Sequence, residues 1–125
     1  MSASLTTSGI TMPTGGTLGD SSSAAPIYAA RAWVNFNGTT VTPSTIRGSG
    51  NVSSITRSGT GTYVVNLATA VSDINGAAIG MSGGSASRPT CSNVFAAAGN
   101  FTINCSYSGT GQFYDQLYFS AAVFR

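Results

Sequence analysis

The fold class this sequence predicts is all-β: an antiparallel β-sandwich of jelly-roll-like build behind an irregular N-terminal arm. Three observations predict it. Apolar residues recur at every second position from Ile27 onward, and no stripe of about 3.6-residue period is long enough for more than a turn or two of helix. Turn-forming residues, including 16 glycines, separate the alternating stretches at short intervals. The composition is 42% hydrophobic but only 6% charged, so the chain has a core to build and depends on Ser, Thr and Asn for its solubility. A length of 125 residues suits one ordinary domain plus a tail.

The arm comes first. Residues 1–26 are mostly Ser, Thr, Gly and Ala, with isolated Leu5, Ile10, Met12 and Leu18 that cannot form an amphipathic helix. The composition changes at Pro26–Ile27, and the β-domain is expected to span residues 27–125. Its first strand interleaves Arg31, Trp33 and Asn35 with the aliphatic face of Ala32, Val34 and Phe36, and Asn37-Gly38 ends it. A short strand over Thr45 to Gly48 leads to another over Val52 to Arg57. Ser58-Gly59-Thr60-Gly61 joins that to Thr62 through Thr69, where Tyr63, Val65 and Leu67 share a face. Asn75-Gly76 opens a strand near Ala77 to Met81, and a glycine-rich loop covers 83–88. Phe101, Ile103, Cys105 and Tyr107 alternate in a further strand, and the last spans about Gln116 to Phe124. Ser-Gly-Thr-Gly recurs at 108–111, which reads as the same turn chemistry used twice, because glycine takes positive φ without steric cost.

All five cations are Arg, all three anions are Asp, and His, Lys and Glu are absent. That removes the commonest general base, the Schiff-base amine and the favoured nitrogen ligand for zinc, so an enzyme is not expected. Asp20, Asp73 and Asp115 would have to pair across roughly 5 to 10 Å to make a glycosidase; the simpler reading places them in turns, loops and the tail. Asp73-Ile74-Asn75-Gly76 resembles a fragment of a calcium loop but lacks its downstream ligands. No metal or cofactor is expected. Arg31, Arg47 and Arg57 near Trp33, Phe36 and Tyr63 suggest a nucleic-acid platform only weakly, since a net charge of +2 is too small for a phosphate groove. No apolar run approaches the roughly 18 residues a membrane span needs. The start of the chain lacks the pattern of a signal peptide, which sets an expectation of synthesis in a cytosol. The Asn-x-Ser/Thr triplets at Asn37, Asn51, Asn100 and Asn104 are discounted on the same ground.

Cys91 and Cys105 fall opposite each other on neighbouring strands if the turn between them centres near Ala98, so a disulfide is geometrically feasible. Free, buried thiols are the expected state, given the missing signal peptide. Trp33, Phe36, Tyr63, Phe101 and Phe119 lie at strand positions where core packing is the default. Phe113, Tyr114 and Tyr118 lie near the second glycine turn, are expected to be partly exposed, and are the candidates for contact with a receptor or another subunit. Such an aromatic rim would suit stacking on a sugar face or a subunit contact equally. A chain with so few charges is also expected to cover part of its surface with another chain.

The segment Ala29-Ala30-Arg31-Ala32-Trp33-Val34-Asn35-Phe36-Asn37-Gly38 resembles tail-fibre and other virion structural proteins of tailed bacteriophages, especially marine and cyanobacterial phages. The likeness recurs at Ile46-Arg47, Asn51-Val52-Ser53-Ser54-Ile55-Thr56, Gly59-Thr60-Gly61-Thr62-Tyr63-Val64-Val65-Asn66-Leu67 and Ala122-Val123-Phe124-Arg125, and in the lead-in Gly9-Ile10-Thr11-Met12-Pro13. It is faint from about Asp73 to Ser108. The resemblance implies a non-enzymatic, homotrimeric virion protein, a short tail fibre or receptor-binding fibre. Its partners would be its own copies, other virion proteins docked through the arm, and a host cell-surface glycan or protein, with no nucleic acid and no membrane insertion. The alternatives are a capsid decoration or head-fibre protein and a carbohydrate-binding module.

Overall fold

Alternation in Ala30–Asn37 (β4) becomes two faces of one strand in the computed structural model, which describes residues 4–6, 9–11, 17–18, 29–40, 44–84 and 89–125. Ala32, Val34 and Phe36 are buried, while Arg31, Trp33 and Asn35 point the other way. Seven further strands follow: β5 (Thr45–Gly50), β6 (Val52–Gly59), β7 (Thr62–Leu67), β8 (Ala77–Gly83), β9 (Pro89–Ala97), β10 (Asn100–Tyr107) and β11 (Tyr118–Phe124). They form two four-stranded sheets, ordered β5-β4-β11-β8 and β6-β7-β10-β9, with every pairing antiparallel. Among the described residues there is no helix. The two sheets pack face to face as the expected sandwich, with hairpins β4–β5, β6–β7 and β9–β10 inside the sheets and the other connections passing between them.

The arm is less irregular than its sequence suggests. Within residues 1–26, Ser4–Thr6 (β1), Gly9–Thr11 (β2) and Thr17–Leu18 (β3) pair as a small antiparallel meander. Asp20 lies outside the described residues.

The core is built from the inward residues of both sheets: Val34 and Phe36, Tyr63 and Val65, Phe101 and Ile103, Phe119 and Val123, each at most 1% exposed. Phe36 and Phe119 stack at 5.0 Å between ring centroids, and Tyr63 meets them at 5.2 and 4.7 Å. Burying each such ring contributes roughly 1.5–3 kcal/mol from area alone, with about 0.5–1.5 kcal/mol more for the aromatic geometry. Trp33 corrects the expectation that every strand aromatic would be core. It occupies the outer face of β4, 49% exposed. The alternation of that strand had already committed Ala32, Val34 and Phe36 to the core, so Trp33 must point outward.

Asn51 carries the chain from one sheet to the other with φ at 55°. Its side-chain amide donates to the carbonyls of Arg31 and Thr69, both at 3.0 Å, and accepts from the Thr69 amide at 2.8 Å. Asparagine suits this corner because it tolerates the left-handed region and its amide satisfies the surrounding backbone.

Candidate functional site

Both Ser-Gly-Thr-Gly segments end on a glycine of positive φ, Gly61 at 65° and Gly111 at 70°, so the repeated tetrapeptide does encode one backbone device. The first closes the β6–β7 hairpin. The second closes a smaller one, in which Ser106 bridges Phe113 and the Tyr107 carbonyl accepts from the amides of Thr110 and Gly111. The following loop, residues 112–117, is tied down at several points. Tyr107 N–H donates to the Gln112 carbonyl at 2.7 Å, Tyr114 N–H to that of Cys105 at 3.0 Å, and Gly38 N–H to that of Gln116 at 3.0 Å.

Asp115 is the main anchor of this loop. Its Oδ1 accepts from Arg57 Nε at 3.1 Å, from Gly61 N–H at 2.8 Å and from the Tyr63 hydroxyl, while Oδ2 accepts from Arg57 Nη2 at 2.6 Å. Burial pushes this carboxyl up, but the bonds from Arg57, Gly61 and Tyr63 outweigh it and hold it below its ordinary value. Burial and the neighbouring carboxylate push the Tyr63 phenol up, so it stays protonated. Gly61 cannot be larger: a Cβ there would lie 2.5 Å from the Cys105 carbonyl oxygen. The sequence reading of Asp115 as a loop residue missed this latch, whose signal would have required knowing that residues 57 and 115 meet.

Phe113, Tyr114 and Tyr118 are all exposed, as expected, and Leu117 joins them. Tyr114 packs edge-on against Tyr107 at 6.4 Å. The Arg47 guanidinium sits 4.5 Å from the centre of the Tyr118 ring and donates to the Leu117 carbonyl at 2.8 Å, which covers one side of that ring. The nucleic-acid platform is not assembled. Phe36 and Tyr63 are in the core, Arg57 is paired with Asp115, and Arg31 donates to the Arg125 carbonyl at 2.7 Å.

Tyr118 also begins the outer face of the β5-β4-β11-β8 sheet, which carries an apolar groove. Ser120, Ala122 and Phe124 of β11 form the floor of a groove of about 500 Å³, walled by Trp33 and Asn35 of β4 and by Ile79 and Met81 of β8. The apolar wall side chains are well exposed, Met81 at 72% and Ile79 at 56%, and no lining residue is charged. Strand β8 is inverted relative to the usual pattern: Ile79 and Met81 face out while Ala78, Gly80 and Ser82 face in. The inward positions must be small here, since a Cβ on Gly80 would lie 2.6 Å from Asn93 Oδ1 on β9. Across the groove the Trp33 indole lies over Gly48 and Gly50 of β5, where added Cβ atoms would come within 3.3 and 2.5 Å of it. Gly50 is registered with Trp33 and Gly48 with Asn35, so the indole lies along the glycine side of β5.

Asp73, the other aspartate among the described residues, accepts from the Asn75 amide at 2.8 Å in the turn expected for it and pairs with Arg125. The Arg125 hydrogen bond, then that from Asn75, holds it down at about 2. Both described carboxyls thus favour the ionised form, the reverse of a glycosidase acid. Among the described residues no group of three or more His, Cys, Asp or Glu could hold a metal ion. No family model matches the chain, and no curated protein or solved structure matches it.

Proposed function

We propose that this chain is a non-enzymatic structural module of a bacteriophage virion, a short tail fibre or receptor-binding fibre. In this reading it assembles as a homotrimer through the outer face of the β5-β4-β11-β8 sheet and displays the 112–118 loop toward the host surface. The observation that carries it is the inverted strand β8, which turns Ile79 and Met81 outward opposite Trp33 to leave an uncharged apolar groove. Exposed apolar side chains gathered beside one another, rather than scattered singly, are a feature of contact surfaces. A second copy of the chain suits this surface, since its own low charge leaves little to repel and Trp33 is a side chain of the kind that anchors interfaces. The resemblance of Ala29 through Gly38 and of Gly59 through Leu67 to virion fibre proteins supplies the biological setting. An arm at residues 1–26 would dock to other virion proteins, and synthesis would take place in the host cytoplasm.

Phe113, Tyr114 and Tyr118 then form the receptor-facing loop, with a cell-surface glycan or protein as ligand. Three weak sites on one trimer would act together through avidity. Size-exclusion chromatography with light scattering tests the assembly: a trimer is expected, and a stable monomer at micromolar concentration contradicts it. Electron microscopy of labelled particles separates a tail location from a capsid decoration or head-fibre role.

A further inference from the structure

Cys91 and Cys105 are directly opposed in the β9–β10 register, and both are free thiols. Their pairing belongs to the close type. Cys105 donates its N–H to the Gly61 carbonyl at 2.7 Å and accepts at its own carbonyl from Tyr114 N–H at 3.0 Å. Both backbone groups of Cys105 therefore point away from β9, because the N–H and C=O of one residue in an antiparallel strand face the same neighbour. The Cys91–Cys105 pair is then a non-hydrogen-bonded pair, in which α-carbons lie only about 4.5 Å apart and side chains approach most closely. That spacing falls within the range a disulfide spans. The sulfurs converge as well. Ser82 Oγ on β8 is 2.9 Å from Cys105 Sγ and 3.2 Å from Cys91 Sγ, which confines the two sulfurs to within about 6 Å of each other.

We propose that Cys91 and Cys105 close an intramolecular disulfide when the folded chain meets a small-molecule disulfide, fastening edge strand β9 to core strand β10. The two thiols differ in access, and this orders the steps. Cys91 is half-buried and Cys105 fully buried, so the Cys91 thiolate attacks the small disulfide first, forming a mixed disulfide and expelling one small thiolate. The Cys105 thiolate then attacks the Cys91 sulfur and expels the second. Two protein thiols are oxidised, one small disulfide is reduced to two thiols, and the two thiol protons pass to the departing thiolates. Burial pushes the Cys105 thiol up to about 11, offset in part by its bond with Ser82.

The inference is independent of the virion reading, and oxidised glutathione is the probe that tests it on the full chain. The expected product is lighter than the reduced chain by two hydrogen atoms, resists alkylation at both cysteines, yields a Cys91–Cys105-linked peptide and melts at a higher temperature. Cys105→Ser is expected to stop at a glutathione adduct on Cys91. Should that variant fail to fold, Cys91→Ser serves instead, and its buried Cys105 is expected to stay unmodified until denaturant is added. A lasting glutathione adduct on the unsubstituted chain, chain-to-chain disulfides, or retention of both free thiols while a free-cysteine control is oxidised would each overturn the proposal.

Discussion

The two sheets of this sandwich share one core but present opposite outer faces. On β6-β7-β10-β9 the outward positions include Ser54, Thr56, Thr62, Asn66, Thr102 and Asn104, and Asn66 Nδ2 donates to Ser54 Oγ at 3.0 Å and Thr56 Oγ1 at 3.1 Å. On β5-β4-β11-β8 they include Trp33, Ile79, Met81, Ala122 and Phe124. Charge on the second face lies toward its ends, where Arg31 continues the outward row of Trp33 and Arg47 lies over Tyr118. The difference teaches where a chain with 6% charged residues puts its polarity: hydroxyls and amides predominate on one face, around Val64 and Val94, while side chains of Trp33, Ile79, Met81 and Phe124 make the other largely apolar.

The strongest way to break both faces at once is through the core they share. Phe119→Ala removes the ring that stacks on Phe36 and is expected to cost about 4 kcal/mol, measured by denaturant unfolding. Trp33→Glu breaks one face only. It is expected to shift the assembly constant by at least 100-fold, about 2.7 kcal/mol, in sedimentation or light scattering, whereas Thr102→Glu on the opposite face leaves assembly unchanged. Asp115→Asn acts on the loop beside both. Losing the Arg57 ion pair is expected to cost about 2 kcal/mol, discounted from a fully buried pair because both side chains are about a quarter exposed. Asn66→Ala unties Ser54 and Thr56 on the hydroxyl face, and the expected loss is only about 1 kcal/mol, with assembly intact.

Acid provides a further separation. The folded Asp115 carboxyl lies below its ordinary value of 3.8, so its stabilising contribution is complete above that value and is lost as pH falls through the folded value. Asp73, held at about 2, behaves in the same direction over the interval from 3.8 down to about 2. Unfolding midpoints are therefore expected to be flat with respect to these groups from neutrality to about pH 5 and to fall below pH 4. In Asp115→Asn the acid-induced fall should be shallower.

Much of the fold was legible because period-two alternation is a strong signal when one face is buried. Phe36, Tyr63, Phe101 and Phe119 were assigned to the core from it, and the opposition of Cys91 and Cys105 followed from a turn near Ala98. The exposed apolar residues were legible only in part. Phe113, Tyr114 and Tyr118 stand out as aromatics beside a glycine turn, but Ile79 and Met81 were placed only in a strand near Ala77 to Met81, with no sign of which face they would take. Only the close approach of β9 to Gly80 explains why the smaller side chains face inward there. The Arg57–Asp115–Tyr63 latch was hidden for a different reason, since it joins residues more than 50 positions apart through a loop without periodicity.

The central claim is that the apolar outer face is covered by another copy of the chain, and Trp33, the single tryptophan, reports on that face directly. The decisive measurement is collisional quenching of its fluorescence across a dilution series, with mass followed by light scattering. Coverage requires blue-shifted, shielded emission in the assembled protein that turns red-shifted and quenchable as the complex dissociates. Emission equally open to quencher at every concentration, from a species of one-chain mass, would contradict the claim.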